Sequence, residues 1–457
     1  MKHRTLTPSR LAMAIAAVGL AQSAVAGGFI EDSKASLDTR NFYINNDNRN
    51  GDAPPNKQEE WGQAFLLNYR SGYTDGTVGV GVDALGMEGL RLDSGKGKHY
   101  NPTSSAYGGT VFPTDSDGRA VNAFGNVGVT GKVKVSDTEL RYGTLQPKLP
   151  VVTYNDGRLL PQTFTGGQVT SNEYKPLTFV VGQLEHMKGR NSSNSDQGLS
   201  IAGANGGSTP DNGQYSNKFY YAGADYKIGE NTQVQYYYGN LKDFYKQHFL
   251  GLLHNWDVGV GQLKSDLRYF HSSSDGSNGD DPRYYTTGYY GDGFTRGEVD
   301  NQVFSGLLTY NLLGHSIGLG HQVLKGDSDF PFINDGDGAS TYLITDSQIG
   351  KFQHAGERTW LAKYAYDFAA LGVPGLSFQT VYLRGSNIDT AYGDQNEWER
   401  DISLGYVVQD GVLKNLGFTW KNASLRSGLP ASATPGSATQ RDQDENRLIV
   451  SYSIPLL

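Results

Sequence analysis

The stretch Thr138–Phe164, TELRYGTLQPKLPVVTYNDGRLLPQTF, decides how the chain is read. It opens with an alternating segment in which Glu139 and Arg141 face one way and Leu140 and Tyr142 the other, the period-2 pattern of a strand with unlike faces. The residues after Leu145 cannot continue that strand. Pro147, Pro150 and Pro161 interrupt a ladder, Gly157 beside Asp156 permits a tight turn, and Val151, Val152, Leu159 and Leu160 require burial. A solvated external loop would leave those four side chains in water. A loop folded into the lumen of a wide β-barrel packs them on the inner wall and narrows the passage, with Tyr154, Asp156 and Arg158 facing whatever goes through.

Period-2 alternation recurs on both sides of this segment. Val78, Val80 and Val82 oppose Gly79, Gly81 and Asp83, and Val127, Val129, Val133 and Val135 oppose Gly128, Thr130, Lys132 and Lys134. Trp360, Ala362, Tyr364 and Tyr366 oppose Thr359, Lys363 and Asp367. Ile402, Leu404 and Tyr406 oppose Asp401, Ser403 and Gly405, and Leu448, Val450, Tyr452 and Ile454 oppose Arg447, Ser451 and Ser453. Strands of roughly 9 to 11 residues match a tilted crossing of a bilayer.

Lys2, Arg4 and Arg10, the apolar run from Leu11 to Leu20 and the small-residue stop Ala24-Val25-Ala26 have the layout of a secretory signal, which is removed. No later run is long and apolar enough for a membrane helix, and mean hydropathy is −0.50. Composition still permits a membrane span. Glycine is 60 of 457 residues, well above the usual ~7%, and there are 29 tyrosines, while hydrophobic residues make up only 37%. A barrel needs one apolar and one polar face per strand, glycine where walls crowd and tyrosine at the interfaces.

There is no cysteine, so a disulfide framework is excluded, and four methionines give little scope for a soft-ligand metal site. The 39 Lys and Arg lose three to the leader and the 47 Asp and Glu lose none, so the net charge moves from −8 to −11. That acidity argues against a nucleic-acid partner.

Connections alternate in kind. Short turns are expected at Arg70–Asp75, Lys227–Asn231, Asn311–His315, Leu371–Gly375 and Gln409–Asn415, and long polar loops at Asn45–Glu60, Lys188–Asn217, His271–Asp300, Lys325–Gly356 and Ser427–Glu445. This is the asymmetry of an outer-membrane barrel, with periplasmic turns and external loops. The reading is therefore all-β: a signal peptide over 1–26, then one transmembrane antiparallel barrel over 27–457, of 16 to 18 strands, with an inward constriction loop over 146–170. Strands begin by about Leu37, which leaves no room for an N-terminal plug.

The chain resembles the OprD-type, or Occ, outer-membrane porins of Pseudomonas and relatives. The resemblance rests on Lys132-Val133-Lys134-Val135-Ser136, Thr138 to Leu145, Pro150-Val151-Val152 and Asn155 to Phe164. Gly28-Phe29-Ile30-Glu31-Asp32-Ser33, Gln247 to Leu252 and Arg447-Leu448-Ile449-Val450 support it. It implies an 18-stranded barrel, monomeric or loosely trimeric, set among outer-membrane lipid and lipopolysaccharide. It implies passive uptake of small organic anions or zwitterions, mostly carboxylates, past a row of basic side chains, with Arg158 as the basic residue of the inward loop. Two departures stand out: Arg40-Asn41-Phe42-Tyr43 is followed by no base before Arg49, and the chain ends Ile454-Pro455-Leu456-Leu457 without a terminal aromatic.

The physical logic holds independently of the family. Cations in line along a narrow aqueous path attract a carboxylate and hand it on, and arginine offers a permanent charge and a fork. Alternation nominates Lys132, Lys134, Lys264, Arg268, Lys363, Lys421 and Arg447 for that row, although Lys264 and Arg268 could simply pair with Asp266. Asp327, Asp329, Asp335 and Asp337 lack EF-hand spacing and read as a solvated acidic loop. No HExxH motif, nucleophile elbow or cofactor fingerprint is present, so no cofactor, metal or catalytic residue is expected. The competing readings are an outer-membrane barrel enzyme, protease or lipase, and a secreted β-sandwich.

Overall fold

The computed structural model describes residues 28–49, 57–95, 98–99, 111–201, 215–276, 298–333, 340–390, 393–429 and 442–457. The leader expected over 1–26 lies outside the described residues. In chain order the strands are β1 (Lys34–Asn48), β2 (Lys57–Arg70), β3 (Val78–Asp93), β4 (Ala123–Val135) and β5 (Thr138–Leu145). The two-residue strands β6 (Lys148–Leu149) and β7 (Val152–Thr153) pair only with each other. Then come β8 (Thr163–Ser171), β9 (Leu177–Lys188), β10 (Phe219–Ile228), β11 (Thr232–Leu241), β12 (Tyr245–Val258), β13 (Gly261–Ser274) and β14 (Asp300–Leu312). The last six are β15 (His315–Lys325), β16 (Arg358–Asp367), β17 (Leu376–Ile388), β18 (Gln395–Val407), β19 (Gly417–Ser427) and β20 (Gln443–Pro455).

All but β6 and β7 belong to one 18-stranded antiparallel sheet. It closes on itself, because β1 pairs with both β2 and β20: Arg40 stands opposite Ala64 on one side and Ser451 on the other. Closure pairs the backbone N–H and C=O groups of the wall and removes both edges, which is what a sheet must do to sit in lipid. No described helix is long and apolar enough to cross a membrane.

Alternation sorts side chains to the two surfaces. On β15, Ile317 and Leu319 point outward, 57% and 58% exposed, while Gly318, Gly320 and the fully buried Gln322 point inward. Outward aromatics gather near both strand ends, Trp61, Trp360 and Trp398 at one and Tyr226, Trp256, Tyr310 and Tyr406 at the other. Amphipathic rings favour those interfacial levels.

At one end the connections are tight, two residues each at 136–137, 259–260 and 313–314. At the other most are long, as at 94–122, 189–218 and 326–357, with two short ones: 242–244 joins β11 to β12 in three residues and 389–394 joins β17 to β18 in six. Two expectations need correction. The inserted segment is 146–162 rather than 146–170, because from Thr163 onward the backbone pairs with β5 and β9 and forms wall. The described parts of the 326–357 segment, 326–333 and 340–357, expected outside, fold into the barrel, where Thr153 of the first loop bridges to Ser340 of the second.

Candidate functional site

The first inward loop (146–162) is held by apolar burial. Val151 and Val152 enter a cluster with Phe164, Leu184, Phe219, Tyr237 and Phe249, and Leu159 and Leu160 enter another with Phe42, Ile44, Ala64, Phe112 and Phe124. The wall is shaped to receive them. A Cβ at Gly62 would stand 2.6 Å from Leu159 Cδ2, and one at Gly239 would stand 2.9 Å from Val151 Cβ. Each fully buried leucine contributes about 1.5–3 kcal/mol relative to exposure, enough to bend the chain inward.

Between the two anchors, Arg40 of β1 grips the loop. Its Nη1 donates to Asp156 Oδ1 at 2.8 Å and its Nη2 to Asp156 Oδ2 at 3.0 Å, a bidentate fork, while Nη1 also reaches Arg158 O at 2.6 Å. Asn155 Oδ1 accepts from Gly157 N at 2.7 Å and from Arg190 Nη1 at 3.1 Å. Asp156 is thus a tether as well as a lining group.

The second inward loop buries Phe330, Phe332, Ile333, Leu343 and Phe352, and carboxylates hold its tip. Glu399 accepts from Ile349 N at 2.9 Å and Gly350 N at 2.6 Å, Asp401 accepts from Gln348 N at 3.2 Å, and Glu445 accepts from Gln348 Nε2 at 2.9 Å. Arg268 is forked onto Asp266, donates to Tyr342 O at 2.6 Å and lies 4.0 Å over the Tyr342 ring. At the loop's return, Asp329 accepts from His354 Nδ1 at 3.1 Å and Ala355 N at 2.9 Å. Burial works against charge on His354, but Asp329, Glu397 and Glu357 outweigh it and raise its pKa to about 10. Asp329 is therefore engaged rather than solvated, and Asp335 and Asp337 lie outside the described residues.

Arg447 joins the two loops. It donates Nη1 to Gly157 O at 3.3 Å, Nη2 to Gln348 O at 2.9 Å and Nε to Glu445, whose other oxygen stands 3.6 Å from Arg158 Nη2. The loops and the β16–β20 wall enclose a cavity of about 570 Å³ in which Arg158, Asp156, Gln348, Lys363, Lys421 and Arg447 meet. Lys421 is the cross-strand partner of Arg447. Lys363 also borders a second cavity, of about 480 Å³, toward the short-turn end, with Lys264, Asp266 and Lys227. Lys264, Lys363 and Lys421 make no ion pair or hydrogen bond among the described residues.

The other nominated residues fall elsewhere. Lys132 is buried at the short-turn end, 2.7 Å from Asp83 and donating to Ser71 O at 2.7 Å, and Lys134 lies 5.9 Å from the Tyr73 ring. Asp83 also takes Arg141 at 2.7 Å, so this group ties the β2–β3 turn to the wall and lies apart from the constriction. Tyr154 packs on the first apolar cluster, with Lys148 5.3 Å from its ring. Sequence reasoning missed Arg40, Arg190, Glu399, Asp401 and Glu445. The acids were signalled: Glu397, Glu399 and Asp401 alternate with Trp398 and Arg400, which marks an acidic inner face.

Residues 27–456 match the family described as outer membrane porin, OprD family. Porin-like protein GalP of Pseudomonas putida is 36% identical over 458 residues, all of both chains. The crystal structure of Pseudomonas aeruginosa OccK8 (OprE) superposes with a TM-score of 0.83 at 62% identity, covering 94% of this chain and all of that one. Pseudomonas aeruginosa OpdK, solved with vanillate, superposes with a TM-score of 0.79 at 37% identity over the same shares. These relatives are channels of the Gram-negative outer membrane rather than enzymes. The chain belongs to the OprD family and is a substrate-specific outer-membrane porin.

Proposed function

We propose that the two-loop constriction admits small organic carboxylates and zwitterions and passes them to the periplasm down their gradient along Arg158, Lys421, Lys363 and Lys264. The observation that carries this reading is the set of three lysines bordering the two cavities without a carboxylate partner. The arginines around them are engaged by the loops, Arg447 by three acceptors and Arg268 by Asp266 and Tyr342.

Unpaired ammonium groups beside a narrow aqueous path are the stronger attractors, since low-dielectric walls focus their field. Lysine binds as a point charge rather than a fork, which favours release as much as capture. Asp346 and Asp401 border the same cavity and offer a counterpart for the ammonium of a zwitterion. Vanillate, present in the structure of OpdK, is a carboxylate of the proposed class. The 1–26 leader and a monomeric or loosely trimeric state in lipopolysaccharide-bearing membrane belong to the same reading.

Liposome swelling with matched pairs tests it. Benzoate should enter several-fold faster than benzamide, and a glutamate salt faster than glutamine. Equal rates within each pair would refute carboxylate selectivity.

A further inference from the structure

We infer that the outer wall of β15–β17 carries a docking site for the phosphates of lipid A, the glycolipid of the outer leaflet. Lys325, Arg358 and Arg384 project from the outer face of three adjacent strands near the long-loop end, and all three are exposed. Arg358 stands opposite Val323 of β15 and Ser386 of β17. Lys325 lies two residues beyond Val323 and Arg384 two before Ser386, so both are diagonal neighbours of Arg358, on the order of 7 Å away. Three cations thus form one oblique row.

The row sits at the membrane interface. Arg384 is the cross-strand partner of Trp360 on one side and Trp398 on the other, and Lys325 Nζ lies 5.5 Å over the Phe304 ring. Indole rings at this level mark the boundary where headgroups begin. Below it the outer face is apolar, with Leu319 and Ile317 on β15.

Elsewhere around the same rim, five outward cations are neutralised. Arg49 lies 2.6 Å from Asp444, Arg426 2.9 Å from Asp444, Lys57 2.6 Å from Glu59, Lys98 3.3 Å from Asp93 and Lys246 3.1 Å from Asp275. Lys325, Arg358 and Arg384 have no carboxylate within 4 Å among the described residues. A like-charged row against lipid costs free energy through mutual repulsion and partial desolvation. An anionic partner at the same height removes both costs.

Lipid A supplies that partner: phosphates borne on a sugar backbone at headgroup level, with acyl chains to cover Ile317 and Leu319 below. Two guanidinium forks and an ammonium suit phosphate oxygens. Free phosphate could use the cations but would gain nothing from the tryptophans or the apolar wall.

The test is native mass spectrometry of the detergent-purified full chain, titrated with bis-phosphorylated lipid A, phosphate-free lipid A or inorganic phosphate. Wild type should retain the phosphorylated glycolipid at least tenfold better than the phosphate-free form, and equimolar inorganic phosphate should not displace it. The triple variant Lys325→Ala/Arg358→Ala/Arg384→Ala should lose that preference while its single-channel conductance stays unchanged. Equal retention of the two glycolipids by wild type, displacement by inorganic phosphate, or undiminished preference in the triple variant would each overturn the assignment. The wild-type arms decide the matter even if the triple variant fails to fold, and Arg358→Gln/Arg384→Gln offers a milder second variant with the same expected direction.

Discussion

The two loops that enter the lumen share apolar burial and differ in what fixes their tips. The first, 146–162, carries its anchors with it: Leu159, Leu160, Val151 and Val152 leave water for apolar pits in the wall. The second, 326–357, also buries Phe330, Phe332, Ile333, Leu343 and Phe352, but its tip is fixed by acceptors on the wall, where Glu399 and Asp401 of β18 take backbone N–H groups at 348–350. Apolar anchoring needs only shape and burial, whereas anchoring by acceptors depends on each donor staying in place. Arg447 bonds both loops at their tips, beside the direct Thr153–Ser340 bridge between them.

The largest effect is expected from Leu159→Ala/Leu160→Ala, since each buried Leu→Ala change costs about 2–5 kcal/mol. The first loop should leave the wall and single-channel conductance should rise several-fold, while the barrel keeps its heat-modifiable mobility on gels. Unchanged conductance would show that apolar burial does not hold this loop.

Next comes Glu399→Ala, which removes the acceptor of two buried backbone N–H groups, at about 1–3 kcal/mol for each group left unsatisfied. Limited proteolysis should then cut within 340–351 and leave 146–162 intact. Cleavage of both loops at equal rates would erase the distinction between them.

Arg447→Ala should widen conductance and weaken selectivity together, and Arg447→Lys should not rescue either, because an ammonium cannot span Gly157 O, Gln348 O and Glu445 as a fork does. Lys421→Gln, by contrast, should shift the reversal potential toward cations with conductance nearly unchanged. If the two variants behave alike, staple and lining cation are not separate roles.

The smallest effect is one of pH on the second loop. The folded pKa of His354, about 10, lies above the ordinary 6.5. Its stabilisation is therefore complete below about pH 6.5, declines as pH rises and is gone once pH passes about 10. Protease sensitivity of 340–351 should climb over that window in wild type and stay flat in His354→Asn. A flat wild-type profile would contradict the charged pairing with Asp329.

Much of the barrel was legible in the sequence because lipid and lumen impose period 2 on every strand, and the first loop was legible because buried leucines between prolines have few homes. The second loop was not. Its tip, Thr345, Ser347, Gln348 and Gly350, looks like any solvated loop, and the acceptors that fix it are written on β18, some fifty residues later; Phe330, Phe332, Ile333, Leu343 and Phe352 carried an apolar signal that was passed over. The basic row was half legible. Alternation assigns Lys132, Lys363 and Arg447 alike to the inner face, but not the partner each meets: Asp83 for Lys132, both loops for Arg447, open cavity for Lys363. Arg40 was passed over because its role depends on Asp156, 116 residues away.

The most direct test of the account is the permeability ratio of benzoate to chloride, from reversal potentials in planar bilayers, for wild type and for Lys363→Gln/Lys421→Gln. Wild type should pass benzoate in preference to what its size alone allows, and the double variant should lose that preference while both loops remain protected from protease. A benzoate preference untouched by removal of both lysines would contradict the proposal that these unpaired cations carry selectivity.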